Sequence, residues 1–107
     1  MNQLILNAQV LQVGAIRYTP AGLMALDLSL KHEGQAQEAG KPRQVSLEIK
    51  AVGIGELCKR LQALGVGSEA LFTGFLSHQR NGRGMIFHIT SFDVSFETAA
   101  PVAGAST

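Results

Sequence analysis

Two arginines, Arg80 and Arg83, enclose an Asn-Gly pair at the tip of a predicted hairpin, and they are the residues of this chain best suited to binding chemistry. Asn-Gly between alternating apolar runs predicts a β-hairpin, because both residues tolerate positive φ. No acidic residue occurs between Glu69 and Asp93, so the sequence offers no local carboxylate to neutralise this tip. Such a tip can bind phosphate groups. The alternative is that its arginines only keep an exposed sheet edge soluble.

Catalytic and metal-binding patterns are absent from the sequence. The three histidines, His32, His78 and His88, are far apart, and none has a second ligand at i, i+4 spacing. Cys58 lies on the apolar stripe of a predicted helix and is interpreted as a small core residue rather than a reactive thiol. No phosphate-binding loop, nucleophile elbow or zinc-protease motif occurs. We therefore expect a protein that is not an enzyme and uses no metal or cofactor.

The composition is that of one small domain with few charges. Of the 107 residues, 46% are apolar and 16% are charged, against roughly a quarter charged in typical domains. The net charge of +1 gives no overall attraction to nucleic acid or acidic membranes, so anion binding must come from local clustering. The single cysteine excludes an internal disulfide, and no segment reads as a signal peptide or membrane span. These features predict a cytoplasmic protein without membrane association.

Alternating apolar and polar residues predict five strands, with a helix between the third and the fourth. The helix is expected from Ile54 to Leu64, with Glu56 in its first turn and a stop at Gly65. The strands are expected at residues 4–13, 24–31 and 45–51 and, on both sides of the Asn-Gly turn, within residues 70–96.

Four local features of the chain carry specific expectations. Residues 18–22 contain proline and glycine and are predicted to turn, whereas residues 33–42 are polar and are predicted to form a loop. Gly74 marks a sharp bend or a close backbone approach in the fourth strand. A β-bulge near Thr90-Ser91 would let two apolar sets of opposite parity both face the core.

This order of elements predicts an all-β protein with the OB-fold, a five-stranded Greek-key barrel with one short helix between strands three and four. An SH3-like barrel is the alternative, but it does not explain a helix at this position. The OB-fold domain is expected to span residues 1–96, and the Ala-rich segment 97–107 to be a disordered tail. The barrel is expected to be lined by Leu28, Leu47, Ile49, Phe72, Leu76, Phe87 and Ile89.

An OB barrel binds oligonucleotides on the outer face of strands two and three and on the loops that join strands one to two and four to five. Most lysine and arginine residues of this chain fall in those segments. The alternative is that a small sheet exposes its charges there in any case, since acidic residues are interspersed with the basic ones. The predicted DNA-binding residues are Arg17, Tyr18, Lys31, Lys41, Arg43, Lys50, Arg80 and Arg83.

A collinear set of segments resembles primosomal replication protein N, the PriB family of bacterial replication restart. The set consists of Val66 to His78 (VGSEALFTGFLSH), the tip Arg80-Asn81-Gly82, Met85 with His88, and Gly40 to Gln44 (GKPRQ). The resemblance covers roughly residues 4–95. It implies a fold similar to that of single-stranded-DNA-binding proteins, a homodimer, and binding to single-stranded DNA. It also implies a role at replication forks of the bacterial nucleoid, bridging the restart helicase and the primosome loading factor.

The resemblance also bears on individual site residues. The family's basic residues in the first turn and in the last hairpin correspond to Arg17, Arg80 and, approximately, Arg83. Its best-described members carry an aromatic residue at the position of Lys41 and tryptophan at that of Ser46, and this chain has neither. Since each stacked base contributes about 1–3 kcal/mol, we expect weaker DNA binding unless Tyr18 or Phe75 substitutes.

Two functions fit these residues. The first is a single-stranded-DNA-binding accessory protein of the primosome, and the second is chiefly a dimeric adapter that binds protein partners, with DNA contact secondary. The two differ in salt response, because phosphate contacts give a steep linear loss of log affinity with log salt. An interface with an apolar centre responds less. An RNA-binding OB module is a third candidate.

The first predicted strand is expected to carry the dimer contact. Its outer face should present three apolar side chains, Ile5, Leu11 and Val13, opposite a core set that begins at Leu4. Apolar groups on the outer face of a first strand favour a two-fold contact with a second copy of the chain.

Overall fold

A computed structural model describes residues 1–79 and 82–94, so Arg80, Asn81 and the predicted tail 97–107 lie outside the described residues. The elements are β1 (Leu4–Val13), β2 (Arg17–Tyr18), β3 (Met24–Glu38), β4 (Lys41–Ile54), α1 (Leu57–Leu64), β5 (Glu69–His78) and β6 (Met85–Asp93). The short strand β2 is additional to the prediction, and it pairs with the start of β3. The predicted turn at residues 18–22 separates these two strands, with Gly22 at φ 85°.

The five long strands close into a barrel because β1 pairs on both of its edges. It is antiparallel to β5 through residues 4–9 and to β3 through residues 9–13. The hydrogen-bonded order runs β1-β5-β6-β4-β3 and returns to β1. β4 and β6 are parallel, and they meet over residues 51–53 and 87–89. This arrangement confirms the predicted OB-fold.

The core fills the barrel and continues beneath α1. Of the seven predicted lining residues, four are buried and two pack half-buried against them; the exception is Leu47, whose side chain is 38% exposed. The prediction for Leu47 was wrong because this part of β4 extends past the barrel, where Leu47 pairs with His32 of β3.

The helix closes one end of the barrel, as its apolar spacing predicted. Cys58 and Leu61 are fully buried, and Gly65 ends the helix with a φ of 80°. The start differs from the prediction: Ile54 is the last residue of β4 and Glu56 is the N-cap. Ile54 lies four residues before Cys58, which is the spacing of one face of a helix. This spacing is the reason that the prediction includes Ile54 in the helix, although Ile54 belongs to β4.

A bulge in β1 changes which residues face the core. The register with β3 shifts between Val10 and Gln12, so Leu11 is the extra residue and Val13 returns to the inside. Val13 packs against the core, whereas Ile5 is exposed. The expectation that Val13 lies on the outer face was wrong, and the apolar outer residue of the first half of β1 is Ile5.

Gly74 permits a close approach between β5 and β6. A Cβ atom at this position would lie 1.7 Å from the carbonyl oxygen of His88. Immediately beyond, the register shifts so that Thr90 is an extra residue in β6, and its hydroxyl donates to the carbonyl of Thr73 at 3.1 Å. The predicted close approach and the predicted bulge are both confirmed.

Residues 33–42 form a paired hairpin instead of the predicted loop. β3 and β4 stay in register without interruption as far as Glu38 and Lys41. The turn residues Ala39 and Gly40 have φ values of 53° and 76°, and positive φ at both positions is characteristic of a type I′ hairpin turn. We call residues 32–47, which extend past the barrel, the arm. The prediction failed because the segment is polar on both faces and shows no alternation.

Truncation of Phe72 should destabilise the barrel far more than truncation of Phe75. Phe72 is fully buried, so Phe72→Ala should lower the free energy of unfolding by roughly 3–5 kcal/mol. Phe75→Ala should lower it by much less, because the Phe75 side chain is 38% exposed. Urea unfolding monitored by circular dichroism measures both. Equal losses for the two variants would contradict the strand phase described above.

Candidate nucleic-acid interface

An open cleft crosses the outer face of β3 and β4, between the β1–β2 connection and the β5–β6 hairpin. It consists of two adjoining cavities of about 730 and 620 Å³ that share Asp27, Gln79 and Ile86. The first cavity is bounded by the end of β1 at Gln12, and the second by the β5–β6 hairpin at His78. In OB-folds this surface is the one that binds oligonucleotides and oligosaccharides.

Strand register determines which residues face this cleft. Asp27 and Ser29 of β3 lie opposite Val52 and Lys50 of β4, and all four line the cleft. The residues between them turn to the core, because side chains alternate between the two faces of a strand. Among these four residues, the charged groups that the cleft presents to a ligand are therefore the Lys50 ammonium and the Asp27 carboxylate.

Arg17 reaches the cleft from β2 and forms a two-pronged ion pair with Asp27. Its Nε donates to Asp27 Oδ2 at 2.9 Å, and its Nη2 donates to Oδ1 at 3.1 Å. The hydrogen bond and charge of Asp27 raise the pKa of Arg17. The side chains are 54% and 53% exposed, so the pair contributes at most about 1 kcal/mol to folding and remains accessible to an incoming anion.

Two further predicted residues lie at this cleft. Lys50 lines it and, within the described part of the chain, forms no ion pair. Arg83 is exposed beside Gly82, which lines the second cavity. Tyr18 is 67% exposed but pairs with Met24 on the side of β2 away from Arg17 and the cleft.

The structure does not bring all the predicted residues together. Lys31 lines a separate small recess beside β1 and lies 3.6 Å from the carboxylate of Glu33. Lys41 and Arg43 belong to the arm, where the register places them on the side of the ladder opposite the cleft. Arg43 donates to Glu38 at 2.7 Å. The expectation that these cations share one face overlooked the alternation of side chains along β4.

A stacked ring pair at the edge of the cleft was missed by sequence reasoning. Phe75 of β5 and His88 of β6 are register partners, and their rings stack with centroids 4.8 Å apart at 5° between planes. His88 also lines the cleft. From the sequence, His88 is considered only as a possible metal ligand. Counting both strands outward from the Asn-Gly turn would have indicated Phe75 as its neighbour.

Nothing in the described residues forms a catalytic or metal-binding constellation. No group of three or more histidine, cysteine or acidic side chains in residues 1–79 and 82–94 is placed to hold a metal ion. Cys58 is buried, its Sγ donates to the carbonyl of Gly53 at 3.1 Å, and burial raises the pKa of the thiol. Across the same residues, the structure contains no helix with the length and hydropathy of a membrane span.

Comparison with known proteins identifies the family. The family described as "another single-strand binding protein family" matches residues 2–91. Replication restart protein PriB of Bordetella pertussis is 50% identical over 80 residues, which is 75% of each chain. The chain belongs to the PriB family. The resemblance found in the sequence is thus confirmed.

Solved structures agree with this assignment. The structure of PriB from Ralstonia solanacearum superimposes with a TM-score of 0.81 at 34% identity, covering 88% of this chain and 97% of that one. The small single-stranded-DNA-binding protein of Streptomyces coelicolor gives a TM-score of 0.70 at 12% identity, covering 90% of this chain and 94% of that one. The second likeness shows a shared fold.

The resemblance implies that other members carry aromatic residues at two positions where this chain has Lys41 and Ser46. Both lie on the arm, with Ser46 on the cleft side of the ladder and Lys41 on the other. The arm contains no phenylalanine, tyrosine or tryptophan. A base-stacking surface in this chain must therefore come from another element.

Proposed function

We propose that the protein binds single-stranded DNA along the outer cleft and acts as an accessory protein of replication restart. The observation that carries this proposal is that Arg17 and Lys50 line the cleft, and that Arg83 is exposed next to the lining residue Gly82, in a chain whose net charge is only +1. Local cations of this kind bind the phosphate backbone without reading sequence. From the sequence analysis, we propose that Arg80 adds a further phosphate contact. The proposed role is one of binding, with no catalytic step.

The other four predicted residues are not expected to bind DNA inside the cleft. Lys31, Lys41 and Arg43 lie away from the cleft, and two of them are already close to carboxylates. Tyr18 faces away from Arg17. We propose that they contact DNA only where the strand leaves the cleft.

Replacement of Lys50 and Arg83, which form no ion pair with any residue that the structure describes, should weaken DNA binding and reduce its salt dependence. Each phosphate contact on single strands contributes about 0.7 to the slope of log affinity against log salt. Lys50→Ala combined with Arg83→Ala should therefore lower the slope by roughly 1.4, with little change in melting temperature. Fluorescence anisotropy of labelled oligo-dT at several salt concentrations measures both quantities.

The matched control for this experiment is Lys59→Ala. Lys59 is an exposed lysine on α1 that lines neither cavity of the cleft, with Glu56 3.7 Å away. Lys59→Ala removes one of the two charges that the double variant removes, so a general electrostatic effect would lower the slope in the control by about half as much. An unchanged slope in the double variant, or a loss of half its size in the control, would place the DNA elsewhere.

Neutralising Asp27 should strengthen DNA binding. The carboxylate holds Arg17 and adds negative charge at the centre of the cleft, so a phosphate must compete with it. Asp27→Asn should release Arg17 for one phosphate contact and steepen the salt slope by about 0.7. Glu33→Gln, which removes a carboxylate near Lys31 outside the cleft, is the control. Weaker binding by Asp27→Asn would mean that Asp27 holds Arg17 in its binding position.

A second candidate function is that of a dimeric adapter between protein partners, with DNA contact secondary. The observation that favours it is the pairing of Arg17, Lys31 and Arg43 with nearby carboxylates, which reduces the charge available to DNA. From the resemblance, we propose the restart helicase and the primosome loading factor as the partners, met at replication forks in the cytoplasm. A shallow salt slope for the wild-type protein would favour this adapter role.

We also propose that the protein is a homodimer joined through β1. Ile5 is 57% exposed on the outer face of this strand. In residues 4–8, β1 pairs with β5 on one edge, while pairing with β3 begins only at Gln9. Along the other edge, His32 Nδ1 lies 2.6 Å from the carbonyl oxygen of Asn7. An apolar outer face beside a partly unpaired edge is suited to a self-complementary contact.

Sedimentation equilibrium at micromolar concentration should give twice the chain mass of 11.3 kDa. Ile5→Lys should shift the protein toward monomer, because it places a charge in the proposed contact. Leu23→Lys is the control, since Leu23 is 50% exposed in the turn before β3. A single-chain mass for the wild type, or dissociation by both variants alike, would contradict a contact at β1.

A further inference from the structure

The stacked pair of Phe75 and His88 presents an aromatic surface at the edge of the cleft. The two rings are almost parallel, with 5° between their planes and 4.8 Å between their centroids. Phe75 remains 38% exposed, whereas Phe72 and Phe87 are fully buried. A ring kept partly in water beside a cleft provides a flat apolar face on which another planar group can stack.

The pair continues the row of residues that crosses the cleft. Register places Asp27 opposite Val52, Val52 opposite His88, and His88 opposite Phe75. These four residues lie on four adjacent strands, so with strands about 4.8 Å apart the row spans roughly 14 Å. A ligand that enters beside Arg17 and crosses the strands arrives at the ring pair.

The backbone beneath the rings lies at a close approach between β5 and β6. Gly74, next to Phe75, lies so near the carbonyl of His88 that a Cβ atom would be 1.7 Å from the oxygen. The Thr90 bulge follows directly, and its hydroxyl is bonded to the carbonyl of Thr73. The two rings are therefore held by a part of the barrel that tolerates little rearrangement, and a pre-organised surface loses less entropy on binding.

The charges near the pair suit a nucleotide. The sequence contains no acidic residue between Glu69 and Asp93, and Arg83 is exposed in the hairpin that joins the two strands carrying the rings. Nucleobases of every sequence have a π-face, so stacking requires no base-specific hydrogen bonds.

We propose that the Phe75–His88 pair is a stacking subsite for one nucleobase of the bound single strand. The inference rests on the proposed function, and it assigns to β5 and β6 the aromatic surface that the arm lacks. The base stacks on the face of Phe75 that does not contact His88. His88 acts as a positioning residue, because its ring packs against the other face of Phe75 and fixes the orientation of that ring.

Replacement of the ring should reduce affinity without changing the salt slope. Phe75→Leu should weaken binding of oligo-dT by about five- to 100-fold, because one stacked base is lost. Phe75→Trp should retain binding, and it introduces the only tryptophan of the chain, so its fluorescence should be quenched by oligo-dT. An oligonucleotide of the same length made of abasic sites should bind Phe75→Leu and the wild type equally. Leu23→Ala, at an exposed apolar residue that lines neither cavity of the cleft, should leave affinity unchanged.

The outcomes separate this subsite from the proposed function. If the wild type binds oligo-dT with a salt slope but Phe75→Leu binds equally well, the subsite is overturned and DNA binding stands. If the wild type fails to bind oligo-dT at low salt, the proposed function fails and the subsite fails with it. A Phe75→Trp signal that changes with protein concentration but not with DNA would show that a second copy covers the rings, and would overturn the proposal. Melting temperatures of all variants confirm that they are folded.

Discussion

The architecture depends on the narrow contact between β5 and β6 at Gly74. The barrel closes where β6 meets β4, over residues 87–89 of β6 and 51–53 of β4. The same segment of β6 is the one that Gly74 approaches from the other side, since any side chain at that position would collide with the carbonyl of His88. β6 can therefore pair with both β4 and β5 only because residue 74 of β5 is a glycine without a side chain. The bulge at Thr90 then shifts the register of β6 by one residue, and Phe92 beyond it packs against the core.

This closure also determines the layout of the outer surface. With β4 and β6 parallel and in contact, residues from β3, β4, β6 and β5 form one outward row from Asp27 to Phe75. The carboxylate is at one end of the row and the rings are at the other. Polar and aromatic groups that are remote in sequence thus become neighbours at fixed spacing. The arrangement of residues at the cleft is a consequence of barrel closure rather than of any local motif.

The sequence was most informative where one face of a strand is buried. Alternation identified β1 and β5, helical spacing identified α1, and the parity change in β6 revealed the bulge at Thr90, because burial forces these patterns. The arm was missed for the converse reason: its ladder is held by backbone hydrogen bonds, which leave no trace in the pattern of side chains. A turn with Ala39 at positive φ carries no signal either, because alanine seldom adopts that conformation. For the site, the sequence indicated the cations but not their carboxylate partners or the ring pair. Both depend on the register between strands, which composition does not encode.

Register also limits how one DNA strand could use the basic residues of β4. Lys50 lies on the cleft side of the β3–β4 ladder, and Lys41 and Arg43 lie on the other side. The ladder is paired without interruption to Glu38 and Lys41, so no gap lets a ligand pass through it. A single strand that contacts both sets must bend around an edge or the tip of the arm. Phosphates in the cleft and phosphates at the arm would then be separated by a turn of the DNA backbone. Phosphate contacts made by Lys50 and those made by Lys41 and Arg43 would share no side chain. Replacing the residues on one side of the ladder should therefore leave the contacts on the other side in place.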